Sequence, residues 1–147
     1  MKTDNIKIVG TVHTVLTRED GTVKQEDTKQ NLVVTVGKTF LATAMTNLTS
    51  ITFTHVGIGT SLAAPTIADT TLIGTELSRV AATVTHPTAT TTQFVASYAA
   101  GIGTGTIEEA GIFSAVSAGS MFSRYLTGTY SKAATDTLTI TWTISVV

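Results

Sequence analysis

The chain has 147 residues, nine basic and ten acidic, no cysteine, and 33 threonines. That length suits one domain that buries a core without covalent staples, and the missing cysteines exclude disulfide scaffolds, thiolate metal sites and cysteine nucleophiles. A formal net charge of −1 gives no electrostatic case for nucleic acid or an anionic membrane, while abundant threonine with only 13% charged residues argues for pleated strands over a helical bundle or a charged disordered tail.

At the start, Asp4 and Lys7 interrupt any apolar run of the kind a signal peptide needs. Residues 39–68 and 80–107 carry no Asp, Glu, Lys or Arg, yet Thr, Ser, Asn, Gln, Gly or Pro breaks each well short of a membrane span. A soluble, non-secreted protein is expected. Ten of the 19 charges fall within the first 36 residues, so 1–36 is expected to be a more charged N-terminal hairpin or arm of a single 1–147 domain. Its strands are Ile6 to Thr17 and Thr22 to Val36, around Arg18-Glu19-Asp20-Gly21, where Asp-Gly is a hairpin signal. Lys24 to Gln30 is too polar for a buried strand and reads as a solvated strand or loop leading into Leu32 to Val36.

One short helix is predicted near residues 38–48, from Lys38 to about Asn47, with Phe40, Leu41, Ala44 and Leu48 on one face. Threonines 39, 43 and 46 lower its propensity, so packing must hold it. Strands follow at Ile51 to Ile58, Glu76 to Thr85, Thr92 to Ala99, Thr106 to Ala115, Met121 to Thr129 and Thr137 to Val147. His86-Pro87 is expected to end the second of these, because proline lacks an N–H donor. Short strands with turn signals between them predict a mainly β protein, an antiparallel, jelly-roll-like β-sandwich.

The last strand is the clearest. Leu138, Ile140, Trp142, Ile144 and Val146 alternate with Thr137, Thr139, Thr141, Thr143 and Ser145. A one-residue slip would turn Trp142 outward, so the register is well specified. Such a strand belongs inside a sheet or against a neighbour, which makes Ile140, Trp142, Ile144 and Val146 structural or interface candidates.

No catalytic constellation emerges. Gly101-x-Gly103-x-Gly105 precedes a strand pattern where a phosphate loop needs a helix N-terminus, so it reads as a hairpin turn. His13, His55 and His86 lack metal-ligand spacing; the first two are expected to be hydrogen-bonded structural histidines and the third exposed. Glu108 and Glu109 are neighbours in a strand and point to opposite faces, unlike a glycosidase pair. One of them with Arg79 or Arg124 is expected to form a partly buried ion pair. No serine sits in a nucleophile elbow, so no enzyme, cofactor or metal is expected. For a sugar-binding module, Tyr98, Tyr125 and Tyr130 are the candidates for exposed aromatics, while Phe40, Phe53, Phe94, Phe113, Phe122 and Trp142 fit core positions.

The series NLVVTVGKTFLA (31–42), THVGIGTSLAAPTIADTTL (54–72), GTGTIEEAGIFSA (103–115), MFSRYL (121–126) and DTLTITWTI (136–144) resembles a group of small structural proteins of tailed bacteriophages, often labelled tail, fibre or decoration protein. The resemblance covers residues 31–147 and leaves out the N-terminal hairpin. It implies a β-rich, non-enzymatic virion component, made in the host cytoplasm, that assembles as an oligomer. The first expectation is a capsid decoration (cement) protein, a homotrimer seated on the major capsid protein lattice, with neither nucleic acid nor membrane as partner. A tail, neck, baseplate or fibre-attachment component is the alternative, and a host-surface carbohydrate-binding module a further one.

Overall fold

A computed structural model describes residues 5–46 and 52–147. The described elements are β1 (Ile8–Thr17), β2 (Val23–Gln30), β3 (Leu32–Val33), α1 (Thr35–Ala44), β4 (His55–Gly59), β5 (Glu76–Ala81), β6 (Thr83–Thr88), β7 (Thr91–Tyr98), β8 (Gly105–Phe113), β9 (Met121–Lys132) and β10 (Thr137–Val146). They build two five-stranded antiparallel sheets, here sheet A in the order β2-β1-β10-β7-β6 and sheet B in the order β3-β9-β8-β4-β5. The mainly β, sandwich expectation with one short helix holds.

Alternation decides which way each strand faces. Val12 and Leu16 of β1, Phe94, Ala96 and Tyr98 of β7, and Leu138, Ile140, Trp142 and Ile144 of β10 are buried against Val56, Ile58, Ile107, Ala110, Ile112, Phe122, Tyr125 and Tyr130 of sheet B. That is two inner faces meeting across one core. β10 lies between β1 and β7, with Trp142 opposite Val12 on one side and Phe94 on the other. The predicted hairpin at Asp20-Gly21 forms: Asp20 accepts from the Thr22 N–H (2.9 Å) and hydroxyl (2.6 Å), and Gly21 takes φ +84°.

The charged N-terminal hairpin is part of the sheet and does not project as an arm. β1 pairs along its length with β10, and β2, although polar from Lys24 onward, forms the outer strand. Lys29 donates to the Thr127 carbonyl (3.0 Å) and Gln25 to that of Thr129 (3.1 Å), so its polar side chains tie this edge to β9.

Several boundaries differ from the sequence reading, among them β9, which runs on to Lys132. Leu32 to Val36 is not one strand: β3 stops at Val33 and α1 begins at Thr35 instead of Lys38. Val34 N–H donates to Phe122 (3.2 Å) and Thr35 N–H to Ile67 (2.8 Å), so tertiary partners cap the helix and override the β-branched pattern. Gly37 lets it approach, since a Cβ there would lie 2.2 Å from the Phe122 carbonyl oxygen. The predicted helix end near Asn47, its stripe residue Leu48, and Ile51 at the start of the next strand lie outside the described residues. Glu76 to Thr85 is two strands: β5 belongs to sheet B and β6 to sheet A, with the crossing at Ala82, whose N–H donates to Thr54 (2.8 Å). Pro87 does not end β6 but sits within a register shift between Thr85 and Thr88, on an edge strand where a missing donor is tolerated. The Gly101–Gly105 turn joins β7 of one sheet to β8 of the other, so it is a corner and not a hairpin. Gly101 and Gly103 both take positive φ there.

Candidate interaction surfaces

The two outer faces of the sandwich are built differently. Across sheet B the register aligns Arg124, Gly111, Gly57 and Arg79 on four successive strands. The two glycines leave a trough, and the Phe113 ring fills it, 3.0 Å from a Cβ built on Gly57 and 3.1 Å from one built on Gly111. The Arg79 guanidinium lies 3.5 Å over that ring. Arg79 also grips Glu76 through two bonds (2.8 and 2.7 Å) and donates to the carbonyls of Ala115 and Ala118. Arg79 is thus the partner of Glu76, a residue that sequence reasoning did not single out.

Arg124 takes Glu109, and the pair is fully buried rather than partly so, at 0% exposure on both sides and 2.7 Å. Gly59 makes the room, since a Cβ there would stand 2.8 Å from a Glu109 oxygen. The remaining donors of Arg124 reach Asp69 (3.0 Å) and the Ala63 carbonyl (2.8 Å). Glu109 in turn accepts from the backbone N–H groups of Ile73 (3.1 Å) and Gly74 (2.6 Å). The Asp69 carboxyl, despite partial burial, is held below the ordinary 3.8 by hydrogen bonds from Thr66 and Arg124. Glu108 is half-exposed and accepts from Thr129 (3.3 Å), so the two neighbouring carboxylates share no site. Leu72, Val34, Phe113 and Met121 form a second small core beneath these loops.

A third ionic group lies at the end of β9. Lys24 reaches from β2 to Asp136 (2.8 Å), which also accepts the Ala133 N–H. Lys132 is 2% exposed and donates to the Ala99 carbonyl (3.0 Å); burial lowers its pKa.

Among the described residues the outer face of sheet A has none of this cover. Its register sets Gln30, Thr11, Thr143, Gln93 and Thr85 in one rank, and Thr28, His13, Thr141, Val95 and Thr83 in the next. Glu26, Val15, Thr139 and Ser97 follow. These side chains are half-buried by their neighbours or exposed. Glu26 is the acidic group on these ranks and meets His13 at 2.6 Å.

Of the terminal-strand candidates, Ile140 and Trp142 are fully buried within the chain and Ile144 nearly so, which leaves them no area for another subunit. Val146 is 43% exposed and borders an apolar groove of about 300 Å³ with Ile8, Val84, Phe53 and Phe122. The expected exposed tyrosines are overturned. Tyr98, Tyr125 and Tyr130 all lie in the core, because each hydroxyl finds an interior acceptor or partner: Val56 O (2.6 Å), Thr14 Oγ1 (2.6 Å) and Thr14 O (3.4 Å). Burial pushes all three hydroxyls up, that of Tyr130 to about 12. The tyrosine platform for a sugar is therefore absent. His55 bonds Thr54 (2.9 Å), and His86 is exposed and bonds Thr92 (3.2 Å). Among the described residues no group of three His, Asp or Glu side chains is placed to hold a metal, and no helix is long and apolar enough to cross a membrane.

Comparison of the chain with protein-family models, with curated proteins and with solved structures finds no match.

Proposed function

We propose that the chain is a non-enzymatic structural component of a tailed-phage virion, a capsid decoration protein that binds the shell as a homotrimer. The observation that supports this reading is the unequal treatment of the two outer faces. Sheet B is covered by the chain's own loops, whereas sheet A presents ranks of threonine with little charge. A broad sheet face of small, neutral hydroxyl and methyl groups suits close packing against another protein, with each contact small and the sum large. Binding to an assembled lattice but not to its separate subunits would stabilise the shell by mass action.

The test is direct. Purified particles imaged in three dimensions should show the protein in many copies over the head, with sheet A turned toward a neighbour. A few copies at the tail or neck would refute the head assignment. Light scattering on the isolated protein should give three copies per particle, and a monomer at every concentration would refute the trimer.

A further inference from the structure

We propose that residues 60–75 form a latched strap that opens as a unit while the sandwich stays folded. The segment joins β4 to β5, and its ends are held together independently of the rest. Gly59 pairs with Glu76 at the mouth of the hairpin, and the Thr75 N–H donates to the Thr60 hydroxyl (3.1 Å). A Cβ at Gly74 would lie 2.7 Å from the Ser61 nitrogen, so the two ends are in contact. The strap can therefore swing about this mouth without breaking the strand pairing on either side.

Little besides the latch holds it down. Leu72 is the buried residue of the segment, and it plugs the small core of Val34, Phe113 and Met121, apart from the main core. Leu62, Ile67 and Ile73 face outward at 54%, 56% and 53% exposure. The attachments to the body are those of Arg124 to Ala63 and Asp69, of Glu109 to Ile73 and Gly74, and the bond from Thr35 to Ile67. A segment with one buried plug and few ties belongs to the low-stability end of a native structure. The nature of the latch lowers the cost further. A buried ion pair stripped of a partner is penalised when it stays dry, but lifting the strap admits water to Arg124 and Glu109, and the two keep their bond to each other.

The chain has no cysteine, so single thiols report opening cleanly. Met121→Cys lies beneath Leu72, and Ala96→Cys lies in the main core; both positions are fully buried. Under native conditions a small disulfide reagent should modify Met121→Cys at least about tenfold faster than Ala96→Cys, nearly independently of low urea. Adding Asp69→Asn should raise the first rate and leave the second unchanged. Equal rates with equal urea dependence would overturn the proposal, because the strap would then leave only with the whole fold. Modification of Met121→Cys at the rate of a free thiol would overturn it too, since no closed state would exist. If Met121→Cys does not fold, hydrogen exchange of the Ile73 and Gly74 amides in the unaltered chain replaces the thiol measurement. Those amides should exchange through an opening smaller than the one that exposes β10 amides, and exchange of both only through the same opening would overturn the proposal.

Discussion

Sheet B and sheet A share one core yet meet the outside in opposite ways. On sheet B two glycines, a phenylalanine and two arginines gather loops onto the strands, and the charges of that region are turned inward. On sheet A the same number of strands turns mostly threonine, serine and glutamine outward, with two valines, His13 and Glu26, and no described loop is bonded over them. The covered face turns its charges inward onto its own loops, while among the described residues the open face carries only the exposed Glu26 and His13. The lesson is that charge is used here to hold loops down, and the face without such charges is the one without loops among the described residues.

Arg124→Ala is the strongest way to break the covered side. It leaves Glu109 without its cation and should cost about 3 kcal/mol in urea unfolding, the low end for a broken buried pair because lifting the strap lets water reach the carboxylate, with Arg124→Lys recovering only part because it cannot bond three acceptors in a plane. Leu72→Ala follows, at about 2 kcal/mol, the low end for a buried leucine because the small core borders solvent once the strap lifts. Acid acts at two places, the covered side through Asp69 and the turn between β9 and β10 through Asp136. The carboxyls of Asp69 and Asp136 both titrate below 3.8 in the folded protein, Asp136 chiefly through its bond from Lys24. The stability they contribute is present in full above the unfolded value and is lost as pH falls through the folded one, so thermal stability should drop below about pH 4. Mutating both to Asn should flatten that part of the profile.

The open side should respond in the reverse manner. Thr141→Lys with Thr143→Lys should change monomer stability by no more than about 1 kcal/mol, yet abolish self-association measured by light scattering and binding to particles lacking the protein. Unchanged association would show that this face is not the contact. Smallest of all should be Glu26→Gln, which weakens an exposed contact with His13 and should alter stability by only about 0.2–0.3 kcal/mol.

Much of the sandwich was legible in the sequence where a local pattern and the tertiary environment agree. The β10 alternation specifies its register and a place inside a sheet or against a neighbour, and Asp20-Gly21 marks the β1–β2 hairpin. The pairing of Glu109 with Arg124 was anticipated as one of four combinations, either glutamate with either arginine, since so few charges occur in that part of the chain. The rest depended on groups far apart in sequence. Nothing in Glu76 to Thr85 marks the change of sheet at Ala82, because both halves are equally good strands. Thr35-Val36 reads as strand, and only the contacts of Val34, Thr35 and Gly37 with Ile67 and Phe122 make it helix. The tyrosines carry a polar group that suggests exposure, while their acceptors, Val56 and Thr14, are visible only once the sheets are stacked. Asp69 sits in a loop with no sign that Arg124 will reach it.

The placement of β1 beside β10 also has a consequence in time. Ile8 faces Val146 and Leu16 faces Leu138, so the first strand made finds its central neighbour only when the last one is available. Until then the β1–β2 hairpin must wait with Val12 and Leu16 unburied, and so long a closure is slow to form. During synthesis sheet A is therefore the later of the two to be completed, and the charged residues on β2 guard an unfinished edge against pairing with other chains.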